Sequence, residues 1–191
     1  MRFIVALVGR PKHESLAAAI RDYEARARRY WPPDIHEVKD EPVTAANTEL
    51  ARAREGDRLA AVAGGAQLVA CEVGGRQMGS REFAAWMQRL REAATDVAFL
   101  IGGPYGLPPR LSAVAATRLS FSPWTMPHEL ARLVLAEQLY RAGTIVRGEP
   151  YHKLPPRRWR ASARPRDGPD HSDGVARRLA PGAGRHRRSA P

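Results

Sequence analysis

The stretch "FLIGGPYGLPP", residues 99–109, runs an apolar strand straight into Gly102, Gly103, Pro104, Tyr105 and Gly106. Its glycine spacing is not the G-x-G-x-x-G of a dinucleotide fold, and no Lys-Ser or Lys-Thr follows to complete a phosphate loop. The same pattern of a strand running into an irregular turn occurs elsewhere. "AQLVACEVGG" (66–75) is apolar and ends in two glycines, and "RLSFSP" (118–123) ends in proline. These strands alternate with helical periodicities, which predicts an α/β fold with a mostly parallel sheet. Three turns, Val73 to Gly75, Ile101 to Gly106 and Phe121 to Pro127, then fall at strand carboxyl ends, where ligands bind in open parallel sheets.

The remaining elements follow from apolar spacing. Phe3 to Val8 is a first buried strand. Leu16, Ile20, Tyr23, Ala27 and Tyr30 advance by three or four residues, a helix that Pro32 and Pro33 end. "DIHEV" (34–38) is a short strand, and a weaker helix spans Thr44 to Arg54. Ser80 caps a helix that shares Phe83, Trp86, Met87 and Leu90 on one face. The last helix is "PHELARLVLAEQLYRA" (127–142), with Pro127 in its first turn.

At 191 residues the chain is expected to hold one domain plus a tail. The domain covers 1–153. Residues 154–191 are basic and rich in Pro, Gly and Arg without apolar period, and are expected to be disordered. The net charge of +11 suggests an anionic partner, yet +7 of it belongs to those last 38 residues, which hold ten arginines against three aspartates. The domain itself is only mildly basic.

There is no signal-like segment and no apolar run long enough for a membrane span, so a soluble cytoplasmic protein without membrane contact is expected. The lone Cys71 excludes an internal disulfide. The histidines at 13, 36, 128, 152, 171 and 186 have no metal-ligand spacing, so no metal is expected. Cys71 inside an apolar strand is a poor nucleophile, and Ser112 and Ser122 lack a nucleophile elbow. The chemistry concentrates instead in the last helix and "TIVRGEPYHK" (144–153), where Glu137, Arg141, Arg147, Glu149, Tyr151, His152 and Lys153 gather. For Glu137 and Arg141 an ordinary helix ion pair is the competing reading.

"FLIGGPYGL", "SFSPWTMPHELARLVLAEQLYRAGTIVRGEPYHK" and the opening "MRFIVALVGRPK" resemble the RlmH family, SPOUT-class methyltransferases that modify a pseudouridine at ring N3 in large-subunit (23S) ribosomal RNA. The resemblance covers residues 1–153. It implies an α/β fold whose C-terminal part threads a trefoil knot, a homodimer, S-adenosylmethionine bound in the knot, and the ribosome as substrate. Carried over by position, it implies that Cys71, Gly103, Ser122, Pro123, Trp124, Thr125, Met126 and Pro127 surround the cofactor. Cys71 stands where the family has leucine beside the adenine, a smaller wall that loosens packing. In-line approach at roughly 3–3.5 Å supplies most of the acceleration in such a transfer. The imide N3 must also lose its proton. His152 is a candidate acceptor, since an imidazole ordinarily titrates near 6.5. Arg141 or Arg147 is placed to stabilise the imidate charge, and Tyr151 to stack on the extruded base. The competing expectations are a related SPOUT enzyme for another RNA nucleotide and an inactive ribosome-binding module relying on the tail.

Overall fold

The computed structural model describes residues 1–44 and 46–152; the tail expectation lies outside the described residues. Five strands, β1 (Phe3–Val8), β2 (Asp34–Val38), β3 (Gln67–Gln77), β4 (Val97–Ile101) and β5 (Thr117–Ser120), form one sheet in the order β2-β1-β4-β3-β5. Every strand pair is parallel. Helices α1 (Glu14–Ala27), α2 (Thr48–Ala63), α3 (Ser80–Glu92), α4 (Pro109–Val114) and α5 (His128–Val146) supply the crossovers.

The central strands β1 and β4 are apolar throughout because both faces are covered. Phe3, Val5 and Leu7 of β1, with Phe99 and Ile101 of β4, face the layer made by α1, α3 and α5. The alternate residues Ile4, Ala6, Val8, Ala98 and Leu100 face α2 and α4. The period of two in β1 thus divides its side chains between two cores. Arg132 of α5 is buried, and its guanidinium bonds Glu24 of α1 at 2.7 Å and Glu37 of β2 at 2.6 Å, pinning α5 across the sheet's edge.

Several expected boundaries move. Val73 to Gly75 is not the end of β3: the strand runs on to Gln77, and Cys71 and Arg76 both oppose Leu119 of β5. The residues between them loop out of the ladder as a bulge. Gly75 is required there, because a Cβ on it would stand 2.6 Å from the backbone carbons of Arg118 and Leu119. Ser80 does not cap α3; it is the first helical residue after Gly79, and its hydroxyl bonds Gln138 Oε1 at 2.9 Å. α2 begins later and runs nine residues further than expected, the polar string "EGDR" having hidden an amphipathic second half that buries Leu59 and Ala63. α4 follows from Pro108 and Pro109, which permit a helix to start although they read as loop. The strand expected over 118–123 stops at Ser120.

Candidate functional site

The carboxyl end of β4 builds the floor of a cleft. After Ile101 the chain turns back on itself, the Gly106 amide bonding the Gly103 carbonyl at 2.9 Å. A Cβ on Gly102 would lie 2.6 Å from the Gly106 oxygen and 2.7 Å from the Leu107 nitrogen, so the two arms of the turn touch backbone to backbone. Beside it, the segment after β5 is held by its own serines. Ser120 donates to the Ser122 carbonyl at 2.8 Å, and the Trp124 amide donates to Ser122 Oγ at 2.8 Å. These are local side-chain-to-backbone bonds that fix a loop without secondary structure.

The β3 bulge, the β4 turn and the β5 loop enclose a cleft of about 350 Å³, within the range of small-molecule sites. Of the residues expected around a cofactor, the structure brings Cys71, Gly103, Ser122, Trp124, Thr125 and Met126 to its wall. Pro123 and Pro127 shape the loop without lining the cleft, both being exposed, and Pro127 is the residue that precedes α5. Sequence reasoning did not single out Glu72, Tyr105, Phe121 or His128 as wall residues. Tyr105 and Phe121 sat in the turns themselves, and that was the available signal.

The wall is largely apolar, built by Cys71, Ile101, Phe121 and Met126 together with the glycine turn from Gly102 to Gly106. Burial, and then the neighbouring Glu72 charge, pushes the Cys71 thiol far above its ordinary range, so it is a neutral wall and not a nucleophile. The Glu72 carboxylate is committed to the Ser112 hydroxyl at 2.7 Å and to Arg118. At the rim Tyr105 is half exposed and Trp124 is 81% exposed, two aromatic faces with little protein over them.

The expected catalytic residues form a separate cluster. Arg141 pairs with Glu137 and lies 3.4 Å from His152 Nδ1; the Tyr151 hydroxyl donates to Glu137 Oε1 at 3.1 Å. The Arg141 guanidinium stacks 4.9 Å from the Tyr151 ring centre, and Tyr140 packs against the same ring at 4.5 Å. The ion pair Glu137–Arg141 is therefore real, and it also serves to hold Tyr151 and His152. Burial, followed by hydrogen bonding to Tyr23 and the Glu137 charge, raises the Tyr151 phenol well above its usual range, so it stays neutral. Arg147 does not join this cluster; it stacks on Tyr30 and donates to the Arg29 carbonyl at 3.1 Å.

An arginine can only donate, so in this arrangement His152 Nδ1 accepts and the ring hydrogen sits on Nε2. Nε2 is buried and has no partner among the described residues. None of Arg141, Tyr151 or His152 lines the cleft. His128, at the start of α5, does, and Arg141 is thirteen residues along the same helix, about 20 Å away at 1.5 Å per residue. Within one chain the cleft and the cluster of Arg141, Tyr151 and His152 do not meet.

Among the described residues no helix is long and apolar enough to cross a membrane, and no group of three or more His, Cys, Asp or Glu could hold a metal ion.

Residues 1–152 match the family model described as predicted SPOUT methyltransferase. A protein of Gemmatimonas aurantiaca named ribosomal RNA large subunit methyltransferase H is 55% identical over 154 residues, covering 80% of this chain and all of that one. A protein of the same name from Sorangium cellulosum is 50% identical, covering 79% of this chain and 99% of its own length. Among solved structures, a probable methylase family protein from Haemophilus influenzae aligns with a TM-score of 0.45 and 13% identity over 81% of this chain and 71% of that one.

Proposed function

The chain belongs to the SPOUT methyltransferases, and within them to the RlmH family, and from that premise we propose that it transfers a methyl group from S-adenosylmethionine to N3 of a pseudouridine in large-subunit ribosomal RNA. The observation that carries the reading is the cleft at the ends of β3, β4 and β5, where six of the eight residues expected around the cofactor converge.

The cleft fits that cofactor. Its apolar wall suits a flat purine, and the glycine turn presents peptide groups where a side chain would fill the space. Cys71, Gly103, Phe121 and Met126 would hold the adenine side, with Ser122 to Met126 closing over it. When bound, S-adenosylmethionine supplies a methyl group already activated on a sulfonium. The chain's own residues then have two tasks, to position the acceptor nitrogen and to remove its proton. Arg141 leaves His152 for a carbonyl oxygen of the base, where charge develops as the imide ionises. That departure frees His152 Nδ1 to accept the N3 proton, so the residue that neutralises the imidate also uncovers the base. Tyr151, neutral and packed at a tilt against Tyr140, offers an extruded base the aromatic face that Arg141 vacates.

The 20 Å between cleft and cluster supports a homodimer in which one chain's cleft meets the other's cluster. The outward residues of α5 support it too: Leu130 is exposed and Leu133 and Val134 are half buried at one end, while Glu137, Gln138 and Arg141 stand at the other. Antiparallel pairing of two such helices brings the apolar end of one toward the polar, cluster-bearing end of its mate, an isologous contact. The close approach of β3 to the Arg118–Leu119 backbone at Gly75 supports a trefoil knot in the C-terminal part. Residues 1–153 form the methyltransferase domain, in the cytoplasm with the ribosome as partner.

Label transfer from methyl-labelled S-adenosylmethionine tests the function, with whole ribosomes lacking the modification, separated subunits and free rRNA run side by side. Label in large-subunit rRNA, strongest with whole ribosomes, is the expected outcome. Binding of the cofactor without label in any arm would leave an inactive ribosome-binding module. Label on another nucleotide would make the chain a related SPOUT enzyme.

Cys71→Leu is a finer test of the adenine wall. Restoring the larger side chain adds apolar contact, at about 25 cal/mol per Å² over a few tens of Å². Calorimetric titration should show cofactor affinity rising about fivefold; unchanged or weaker affinity would move the adenine off this wall.

A further inference from the structure

Most arginines of the described residues are neutralised by a carboxylate, from Arg2 with Asp96 to Arg141 with Glu137. Those with no carboxylate within 4 Å among the described residues are Arg28, Arg29, Arg81, Arg89, Arg91 and Arg147. Four of these six gather at one place. Arg28 and Arg29 immediately follow α1, where the next two residues are Tyr30 and Trp31. The Arg91 guanidinium, from the last turn of α3, lies 4.6 Å from the Trp31 ring centre, and that of Arg147, at the end of α5, lies 4.7 Å from the Tyr30 ring centre.

The edge is built rather than accidental. Trp31 Nε1 donates to the Leu139 carbonyl at 2.9 Å, fixing the indole on α5, and Arg147 Nη2 holds the Arg29 carbonyl. Carboxylates on the same elements are turned to other uses. Glu149 is taken by the Tyr30 hydroxyl, Glu92 by the Gln88 amide at 2.7 Å, and Asp22 by Arg26. The Glu149 bond, more than burial, pushes the Tyr30 phenol up to about 12, which keeps that bond in place across the working pH range. A guanidinium lying on an aromatic face is oriented by its plane, and although Arg91 gives one nitrogen to Gln88 and Arg147 one to the Arg29 carbonyl, the remaining N–H donors of each stay available to phosphate oxygens. Within one chain the edge is far from the cleft, since Arg147 follows the helix that His128 begins, about 28 Å away along α5, and it stands about 9 Å along that helix beyond Arg141.

We propose that Arg28, Arg29, Arg91 and Arg147, set around Tyr30 and Trp31, form a docking surface for the phosphodiester backbone of RNA, separate from the cleft and from the Arg141 cluster. It rests on the reading of the chain as an RNA methyltransferase and adds where the folded domain grips its substrate. Because contacts of this kind go to phosphates, the surface positions the RNA without reading its sequence. It also resolves the mild charge of the domain: the sum is small because most arginines are cancelled, and the uncancelled ones are concentrated.

The test compares three full-length proteins: the parent, an Arg28→Gln/Arg29→Gln/Arg91→Gln variant, and a control with the same loss of charge at carboxylate-paired sites, Arg21→Gln/Arg76→Gln/Arg110→Gln. Binding of a short fluorescein-labelled RNA is followed by anisotropy between about 50 and 200 mM salt, where phosphate contacts dominate the salt dependence. The edge variant should lose about one unit of log K against log salt for each arginine removed, two to three in all, and bind roughly tenfold or more weakly at the lower salt. In methyl transfer its KM for ribosomes should rise with kcat unchanged. The control should follow the parent. Equal losses in both variants, or none in either, overturn the proposal, as does an edge variant that changes oligomeric state by sedimentation instead of salt slope. Arg91→Lys, which keeps charge but not the stacked plane, should restore part of the slope. S-adenosylmethionine titration keeps the two readings apart: a parent that fails to bind it refutes the methyltransferase assignment, whereas intact cofactor binding with an unmoved slope refutes the docking surface alone.

Discussion

His152→Ala should lower methyl transfer to ribosomes by about 10²–10⁴-fold, the usual worth of a positioned proton acceptor, and should leave S-adenosylmethionine affinity at the parent value. The two readouts separate because His152 does not line the cleft. The ring's nearest polar partner is Arg141, 3.4 Å from Nδ1. Arg141→Gln should therefore also slow transfer with cofactor binding intact, and the double variant should be little worse than either single one, since the two residues act on one proton and one charge as a unit. Single-turnover rates and calorimetric titrations on the same preparations measure both quantities. Undiminished transfer by His152→Ala would remove the histidine from the chemistry and leave water or another group as the proton acceptor.

Gly102→Ala should do the reverse and strike the cofactor. Its Cβ would meet the Gly106 oxygen at 2.6 Å and the Leu107 nitrogen at 2.7 Å, backbone atoms that cannot swing aside as a flexible side chain would. The turn must open, and the floor of the cleft opens with it. Overpacking of this kind costs about 1–3 kcal/mol. The strain should appear both as a lower midpoint of denaturant unfolding and as a tenfold or greater loss of cofactor affinity. Normal affinity with normal stability would show that the turn has slack and that the cleft floor lies elsewhere.

These glycines show how much of the molecule its sequence reveals. The parallel α/β sheet was legible because β1 and β4 are continuous apolar runs, the mark of strands buried on both faces. The turn after Ile101 was legible as a site because three glycines and a proline exceed what a simple loop needs. Other features were hidden for physical reasons. Gly74 and Gly75 read as the end of a strand, yet the strand continues, because glycine serves a bulge that crosses another backbone as readily as it serves a turn. α4 was hidden by its own prolines.

The candidate site was legible in its parts and not in their placement. "SPWTM" and "EPYHK" could each be marked as chemical, but the distance between them depends on α5 being one straight helix from His128 to Val146. His128 carried no signal beyond its place after Pro127, although it lines the cleft. The free arginines were invisible for a different reason: pairing depends on tertiary neighbours, so a net charge says nothing about which charges are already spent.

The central claim is that the cofactor cleft of one chain works with the Arg141–His152 cluster of another, and mixing two inactive proteins tests it most directly. Cys71→Trp plugs the cleft wall and leaves the cluster intact; His152→Ala removes the proton acceptor and leaves the cleft intact. Each alone should transfer almost no methyl group to ribosomes. After subunit exchange at equal concentrations, half the dimers are mixed and each mixed dimer carries one site with both parts whole, so activity should return to about one quarter of the parent's. Mixing that restores nothing would contradict the account, because it would mean that each chain must complete its own site.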